Sequence, residues 1–280
     1  MTEEAGKIMA TVQKRDEGTA GAARVKKSLD RSIGTITLNH PEKRNALSAE
    51  LIGDLLEALA SLTASGARVV VLRAAPGVKV WSAGHDVKEL PTNGRDPLTY
   101  DDPLRRLVRA IKEVPIPVIA LVEGGVWGAA CEVVTSCDVV IAAEGATFAI
   151  TPAKLGVPYD IEGVLSFMQS TSLPIIKEML FTAQPISTER ALRVGIVNQV
   201  VPTDRLEPAT IELAQQMIRN SPLVIGFLKE ELRVLAGATP LNPEGFQRIQ
   251  GLRRRIYDSA DYQEGIRSFF ERRAPQFQGR

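Results

Sequence analysis

The sequence predicts an α/β protein whose layered core is followed by a helical C-terminal region. In roughly the first two-thirds of the chain, strand-like segments alternate with helix-like ones, and this alternation is typical of a sheet covered by helices. Several strand-like segments are apolar at nearly every position, as expected for strands that are covered on both faces. Beyond about residue 180 the pattern becomes mainly helical.

The first element is a strand at residues 32–38 (SIGTITL), which is rich in β-branched side chains and follows a turn signal at Asp30 and Arg31. Ser48 is the expected N-cap of a helix that reaches Leu62, because leucines recur along one stripe of this segment. Three apolar strands are then expected, at residues 69–72, 117–122 and 138–143.

Segment 124–136 (GGVWGAACEVVTS) is rich in small residues and then apolar, which predicts a loop that runs into a buried helix. One further short strand is expected at residues 196–201. The remaining predicted elements are helices at residues 187–194, 206–220, 223–235, 243–258 and 261–273.

These segments predict the domain organisation. We expect a disordered N-terminal extension at residues 1–23, a core at residues 24–200 and a helical region at residues 201–280. The extension mixes acidic with basic residues and lacks an apolar stretch, so it fits neither a secretory signal nor an acid-poor transit peptide. No apolar run approaches the ~18 residues that a membrane helix needs.

Charge and cysteine content exclude further classes. The chain has 34 Lys and Arg against 33 Asp and Glu, so nothing favours a general attraction to nucleic acid or anionic membrane. Cys131 and Cys137 are predicted to be buried free thiols in a reducing compartment, and we expect a cytoplasmic protein. His40 and His85 lie far apart in sequence, each without a second ligand at metal-site spacing, so no metal site is expected.

Segment 81–87 (WSAGHDV) is the first candidate for a functional site. Its small residues and the helix-capping Asp86 place it at a strand-to-helix corner. Such corners present backbone N–H groups that suit an anion or a developing oxyanion. A tight loop without function is an equally good interpretation of this segment alone.

Segment 123–132 (EGGVWGAACE) is the second candidate, because its small residues let backbone approach backbone or a ligand closely. Glu132 lies one turn inside the apolar helix expected there, and a buried, unpaired carboxylate is costly or shifts its pKa upward. A general acid or base is the favoured interpretation of Glu132. A carboxylate that is hydrogen-bonded to backbone or water is the alternative.

The third segment, 151–159 (TPAKLGVPY), is an irregular loop fixed by two prolines and a glycine at a strand end, where binding groups tend to lie. It offers the hydroxyl groups of Thr151 and Tyr159 and no carboxylate. A purely structural loop is the default interpretation of this segment by itself.

Segment 39–48 (NHPEKRNALS) carries Lys43 and Arg44, which suit a phosphate, although two exposed basic residues are usually only solvated. The last two helices carry an apolar stripe, for which ordinary packing is favoured over self-association or the covering of a ligand. The stripe comprises Ile256, Tyr257, Ile266, Phe269 and Phe270.

These four segments, in this order and spacing, resemble the crotonase superfamily, also called enoyl-CoA hydratase/isomerase, from about residue 24 to residue 280. The SAG-x-D motif and the G-x-x-E motif, in which Ala129 stands where glycine is usual, carry the likeness to the superfamily. The resemblance narrows to members that decarboxylate methylmalonyl-CoA through His85, the stretch 94–105 (GRDPLTYDDPLR) and the sequence GVPY at 156–159.

The resemblance implies a crotonase-like spiral of ββα units with a C-terminal helical trimerisation region, assembled as a homotrimer or homohexamer. It also implies that acyl-CoA binds with its thioester oxygen in an oxyanion hole between the backbone N–H groups of His85 and Ala129. It assigns the phosphate and pantetheine portions of CoA to Lys43, Arg44 and Ala46. The adenine region is assigned to Ala83 and Asp86.

Two departures from the family pattern bear on the reaction. Alanine at position 129 keeps the N–H donor but tolerates fewer backbone angles than glycine. Hydratases that resemble this fold use two glutamates to position and ionise water, and Glu132 keeps the first. Near Pro152, where the second glutamate would fall, the loop carries Thr151 and Tyr159 instead.

We therefore expect decarboxylation of methylmalonyl-CoA to propionyl-CoA through a thioester enolate. Tyr159 is predicted to orient the carboxylate or cover the nascent enolate, with Thr151 assisting, and Glu132 to shape the pocket or relay a proton. No cofactor is expected, because the thioester carbonyl accepts the electron pair and coenzyme A is part of the substrate.

Two alternatives stay open from the sequence. One is an enoyl-CoA hydratase or isomerase that acts on unsaturated acyl-CoA with Glu132 alone. The other is a non-catalytic relative that binds acyl-CoA or RNA, which the balanced charge and the intact oxyanion segments disfavour.

Overall fold

The computed structural model describes residues 23–90, 101–237 and 243–279. The predicted disordered extension at residues 1–23 lies outside the described residues except for Ala23. In the described residues the strands are β1 (Val25–Asp30), β2 (Ile33–Leu38), β3 (Val69–Ala74), β4 (Val80–Ser82), β5 (Val118–Val122), β6 (Gly125–Trp127), β7 (Val139–Ala143), β8 (Thr147–Ala149), β9 (Ile186–Ser187) and β10 (Gln199–Val201).

The strands form two sheets. The first has the order β1-β2-β3-β5-β7-β10 and the second the order β4-β6-β8-β9. Strands β2, β3, β5, β7 and β10 pair in parallel, and β1 pairs antiparallel with β2 at one edge. Every predicted strand is confirmed, although the strand expected at residues 196–201 begins only at Gln199.

The α-helices of the described residues are α1 (Ala49–Ala64), α2 (Pro103–Glu113), α3 (Ala129–Thr135), α4 (Ile161–Ser170), α5 (Leu173–Thr182), α6 (Thr188–Arg193), α7 (Leu206–Ile218), α8 (Pro222–Ala236), α9 (Pro243–Tyr257) and α10 (Ala260–Glu271). The helices predicted from the sequence are confirmed, and α2, α4 and α5 were not predicted. None of the described helices is long and apolar enough to cross a bilayer.

The chain winds as a spiral in which β3-β4-α2, β5-β6-α3 and β7-β8-α4 are successive turns. In each turn the first strand joins the larger sheet, the second joins the smaller sheet, and a helix follows. This is the spiral of ββα units that the resemblance implies, so the predicted α/β fold class is confirmed.

Burial on both faces explains the apolar strands of the larger sheet. In β3, Val70 and Leu72 pack into the main core, whereas Val69 and Val71 point to the opposite face, because successive side chains of a strand alternate. That opposite face is covered by α7, which contributes Leu206 and other residues. The first helix of the predicted C-terminal region therefore packs on the sheet, and the domain boundary at residue 200 stays a prediction.

Side-chain caps and free thiols also follow the sequence. Ser48 caps α1 as predicted, because its hydroxyl accepts a 3.2 Å hydrogen bond from the Leu51 N–H. Asp86 caps a short 3-10 turn rather than an α-helix, and its carboxylate accepts from the Lys88 N–H at 3.0 Å. Cys131 and Cys137 are both free and buried, as predicted.

Candidate active site

A cavity of about 550 Å³ opens between the loops that precede α1, α2 and α3 and the C-terminal helices. It is lined by every residue that the sequence predicted for the site except Glu132, whose outcome is described below. The predicted residues that line it are Lys43, Arg44, Ala46, Ala83, His85, Asp86, Ala129, Thr151 and Tyr159.

A buried asparagine, Asn45, connects two of the cavity loops through hydrogen bonds. Asn45 is fully buried, its Oδ1 accepts from the His40 N–H at 2.8 Å, and its Nδ2 donates to the Trp81 carbonyl at 2.8 Å. The hydroxyl of Ser82 donates to the Asn45 carbonyl at 2.7 Å. Asn45 is a residue that the sequence reasoning missed, and its left-handed φ of 49° is a conformation that asparagine tolerates better than most residues.

Gly84 brings the loop before α2 into direct contact with the loop before α3. Its φ is +86°, and a methyl group placed on it would lie 2.5 Å from the Trp127 carbonyl oxygen and 2.9 Å from the Ala129 nitrogen. A residue with a side chain therefore cannot occupy this position without moving one of the loops. The two segments that were predicted to supply oxyanion donors are thus adjacent in space.

The backbone leaves two N–H groups unused at this contact. The amides on either side of His85 are occupied, because the Gly84 N–H donates to Ser82 Oγ at 3.2 Å and the Asp86 N–H to the Leu47 carbonyl at 3.3 Å. Ala129 is the first residue of α3, where an N–H has no partner within the helix. Within the described part of the chain, neither the His85 nor the Ala129 N–H donates to a protein acceptor.

Two residues with hydroxyl groups, Thr151 and Tyr159, also line the cavity. Thr151 Oγ1 lies 3.0 Å from the position that a Cβ on Gly128 would take, so it sits beside the start of α3. The hydroxyl of Tyr159 is buried and has no hydrogen-bond partner in the described chain, and its ring packs edge-on against Phe167 with centroids 5.3 Å apart. Burial, with a contribution from the Glu132 carboxylate, raises the pKa of Tyr159 well above its ordinary value, so the hydroxyl stays a donor.

Glu132 is buried, as expected for its place in an apolar helix, and it is paired with Arg105; its catalytic role stays a prediction. Its two carboxylate oxygens accept from Nη1 and Nη2 of Arg105, each at 2.5 Å, and its side chain is inaccessible to solvent. Burial alone would lower the pKa of Arg105, but the hydrogen bonds and charge of Glu132 outweigh it and raise that pKa. The carboxylate is therefore compensated by a permanent cation and is not a free acid or base facing the cavity.

Arg105 lines the cavity and is a second residue that the sequence reasoning missed. It lies in α2, whose first turn is capped by Asp102 through a 2.8 Å bond from the Leu104 N–H. The signal that could have found it is the stretch 94–105, in which Arg105 is the last residue. Its contact with Glu132 joins residues 27 positions apart.

The imidazole of His85 also lines the cavity. Burial lowers its pKa below the ordinary value, and the nearby Asp102 carboxylate opposes this only in part, so the ring is neutral near pH 7. A neutral imidazole adds no positive charge to the site.

The C-terminal helices cover one side of the cavity. Tyr257 at the end of α9 is fully buried and lines it, as do Phe269 and Phe270 of α10, which are about half exposed. Gly156 and Gly265 allow α10 to pack closely against the loop that contains Thr151. Part of the apolar stripe thus borders the cavity, which supports the alternative of ligand covering.

The fold and site define a member of the enoyl-CoA hydratase/isomerase family, and the chain belongs to it: the sequence pattern of that family matches residues 28–280. The chain is 49% identical to methylmalonyl-CoA decarboxylase of Escherichia coli (strain K12) over 247 residues, which cover 88% of this chain and 95% of that protein.

Among solved structures, a decarboxylase and a hydratase differ in their similarity to this chain. Methylmalonyl-CoA decarboxylase in complex with 2-nitronate-propionyl-CoA is 47% identical with a TM-score of 0.91, covering 93% of this chain and all of that one. An enoyl-CoA hydratase from Mycobacterium avium subsp. paratuberculosis is 25% identical with a TM-score of 0.76, covering 92% of this chain and all of that one. The decarboxylase is thus more similar to this chain than the hydratase is.

Proposed function

We propose that this chain is a lyase that decarboxylates methylmalonyl-CoA to propionyl-CoA through a thioester enolate. The observation that carries the proposal is the composition of the cavity. It holds two unused backbone N–H groups and a buried tyrosine hydroxyl, while the glutamate of the family motif is locked in an ion pair. The similarity to methylmalonyl-CoA decarboxylase supports the same reaction.

The N–H groups of His85 and Ala129 are proposed to bind the thioester oxygen. When the bond to the carboxylate breaks, its electron pair moves into the thioester, and negative charge develops on that oxygen. Fixed donors that are already aimed at this charge lower the barrier, and one such donor is commonly worth about 3 kcal/mol. Since both amides lack other acceptors in the described chain, neither has to break a bond first.

Tyr159 and Thr151 are proposed to hold the substrate carboxylate. Decarboxylation is fastest when the breaking C–C bond lies perpendicular to the thioester plane, because it then overlaps the carbonyl π system. The Thr151 hydroxyl lies beside the start of α3, and Tyr159 lines the cavity with a hydroxyl that has no protein acceptor in the described chain. Positioning of this kind supplies several kcal/mol in enzymes. After carbon dioxide leaves, the Tyr159 hydroxyl is proposed to cover the enolate. Addition of a proton to the α-carbon then gives propionyl-CoA.

The acid content of the cavity disfavours hydration. Water addition in this family relies on paired glutamates, and among the described lining residues Asp86 is the one carboxylate. Asp86 is engaged in capping the turn that follows it. Glu132 is held in the ion pair with Arg105, so the described lining residues offer no pair of free carboxylates to ionise water.

Binding of the CoA portion is proposed for the cavity wall formed by Lys43, Arg44, Ala46, Ala83 and Asp86. The two basic side chains suit the CoA phosphates. The two alanines leave room for the pantetheine chain and the adenine.

We expect purified protein to convert methylmalonyl-CoA to propionyl-CoA and carbon dioxide, and to hydrate crotonyl-CoA far more slowly. Mass spectrometry of the acyl-CoA products, beside absorbance of the unsaturated thioester, measures both reactions. The thioester carbonyl itself accepts the electron pair, so we propose that no metal, biotin or pyridoxal is needed. Turnover should therefore survive dialysis against a chelator and treatment with avidin. Brisk hydration with no loss of methylmalonyl-CoA would contradict the proposal.

We also propose that the chain self-associates as a homotrimer or homohexamer in the cytoplasm. Helix α8 has no buried residue in the isolated chain, and apolar side chains such as Leu223, Phe227 and Leu232 are 84%, 62% and 66% exposed. The helix is nevertheless held on the core, because Lys229 Nζ donates to Asp138 Oδ2 at 2.7 Å. An apolar face of this extent is typical of a contact between copies. Sedimentation equilibrium of purified protein tests this assembly, and a monomer would contradict it.

A further inference from the structure

We propose that Arg105 is a positioning residue that links the helix of the oxyanion donor Ala129 to the segment that carries Tyr159. The inference rests on the proposed function, because those two groups matter only if the cavity holds a thioester enolate and a carboxylate. Arg105 is 2% exposed and meets two carboxylates from two different turns of the spiral.

The guanidinium uses both of its sides. Nη1 and Nη2 donate to the two oxygens of Glu132 at 2.5 Å, and Nε lies 3.2 Å from Asp160 Oδ2 in an ion pair that lacks hydrogen-bond geometry. Arginine presents these nitrogens in a rigid plane, whereas lysine offers one point charge. Arg105 therefore holds Glu132 through two directed hydrogen bonds and draws Asp160 towards it by charge, and a lysine at the same place cannot make both contacts.

Each carboxylate is attached to one part of the proposed machinery. Glu132 follows Ala129 by three residues in the short helix α3. Asp160 follows Tyr159 directly and caps the start of α4. Its Oδ1 accepts a hydrogen bond from the Gly163 N–H at 2.7 Å. Arg105 therefore contacts one carboxylate near the oxyanion donor and another next to the tyrosine, so its position affects both.

The packing around Gly163 shows how closely these parts meet. A Cβ on this glycine would lie 2.7 Å from Tyr159 Cδ1, 2.9 Å from Asp160 Oδ1 and 3.1 Å from Glu132 Oε2. The tyrosine ring, the helix cap and the ion pair therefore converge on one point. We therefore expect a shift of Glu132 or Asp160 to disturb the tyrosine ring, because all three groups pack around the same glycine.

The test begins with Arg105→Lys, which keeps the charge and loses the double contact. A misplacement of about 1 Å can cost on the order of 10²-fold in rate, so we expect a kcat loss of about that size with KM little changed. In a Tyr159→Phe background the same substitution should cost less, because part of its effect passes through the tyrosine hydroxyl. Equal losses in the two backgrounds would overturn the link.

Amide hydrogen exchange of the substrate-free protein supplies a readout that needs no activity. Arg105→Lys should raise exchange in residues 129–135 and in residues 159–164 together. The matched control is Arg190→Lys, which alters an exposed two-bond pair with Glu178 at 2.8 and 2.7 Å far along the chain. It should change neither kcat nor exchange in the two segments. Increased exchange in one segment alone, or in neither, would overturn the proposal.

Two further variants keep the test decisive. Asp160→Asn retains the helix cap and removes the charge that faces Arg105, so it should raise exchange around Tyr159 even if Arg105→Lys does not fold. Glu132→Gln should lose less activity than Arg105→Lys. A larger loss than that of Arg105→Lys, without any change in exchange, would indicate that Glu132 relays a proton and would overturn the positioning role. A wild-type protein that leaves methylmalonyl-CoA unchanged would contradict the proposed function, while the exchange result would still decide the link.

Discussion

Replacing Tyr159 by phenylalanine is expected to lower kcat for methylmalonyl-CoA by about 10²- to 10³-fold, the loss seen when one preorganised donor is removed from an active site. The tyrosine hydroxyl is buried against the cavity and has no protein acceptor in the described chain. Its hydrogen bond is therefore available to the substrate carboxylate and to the enolate. Because burial raises its pKa well above the ordinary value, the donor is not lost to ionisation as the pH is raised to 10.

Stability separates this effect from damage to the fold. Removal of a hydroxyl that has no protein partner leaves no other group unsatisfied, so the free energy of unfolding should stay equal or rise slightly. The control is Lys43→Ala at the CoA-binding wall, which should raise KM and leave kcat nearly unchanged. Steady-state kinetics with product detection and denaturant unfolding measure both variants. Full turnover by Tyr159→Phe would refute a role for this hydroxyl.

Gly84→Ala is expected to cause the largest loss, about 10³-fold or more in kcat, because it disturbs both oxyanion donors at once. The added methyl would meet the Trp127 carbonyl at 2.5 Å and the Ala129 nitrogen at 2.9 Å. These contacts are too short to persist, so the loops that carry His85 and Ala129 must separate. The left-handed φ of +86° adds about 1–3 kcal/mol of backbone strain, which should appear as lower stability.

Gly66→Ala is the matched control for this prediction. Gly66 has almost the same φ, +87°, but a methyl group there would meet nothing within 4 Å. It should therefore lose stability by backbone strain alone and keep its activity. If the two variants lose activity to the same extent, or if Gly84→Ala stays active, the two loops do not form the oxyanion hole.

The parts of the fold that were predictable are those fixed by local composition. Strand β3 was predicted because a strand covered on both faces needs no polar residues, and its side chains do divide between two buried clusters. Ser48 marked the start of α1 because its side chain caps a helix whatever surrounds it. Helix α2 was missed although its sequence, PLRRLVRAIKE, carries the signal, because the buried Leu104, Leu107, Val108 and Ile111 recur at helical spacing.

The residues of the site also separate into those that the sequence could predict and those that it could not. His85, Ala129, Thr151 and Tyr159 were predicted to share a cavity from their motifs, and the structure brings them together. The role of Glu132 could not be predicted, because its partner Arg105 lies 27 residues away on another turn of the spiral. A sequence shows that a buried carboxylate needs compensation, but only the fold shows which cation supplies it.

Carbonyl polarisation tests the central claim most directly. Infrared difference spectroscopy of propionyl-CoA labelled with carbon-13 at the thioester carbonyl reports on the hydrogen bonds that this oxygen receives. We predict that binding to the wild-type protein shifts the carbonyl stretch to lower frequency, because two N–H groups draw charge onto the oxygen, and that the shift is lost in Gly84→Ala. A stretch that stays at its solution frequency in the saturated wild-type complex would contradict a backbone oxyanion hole.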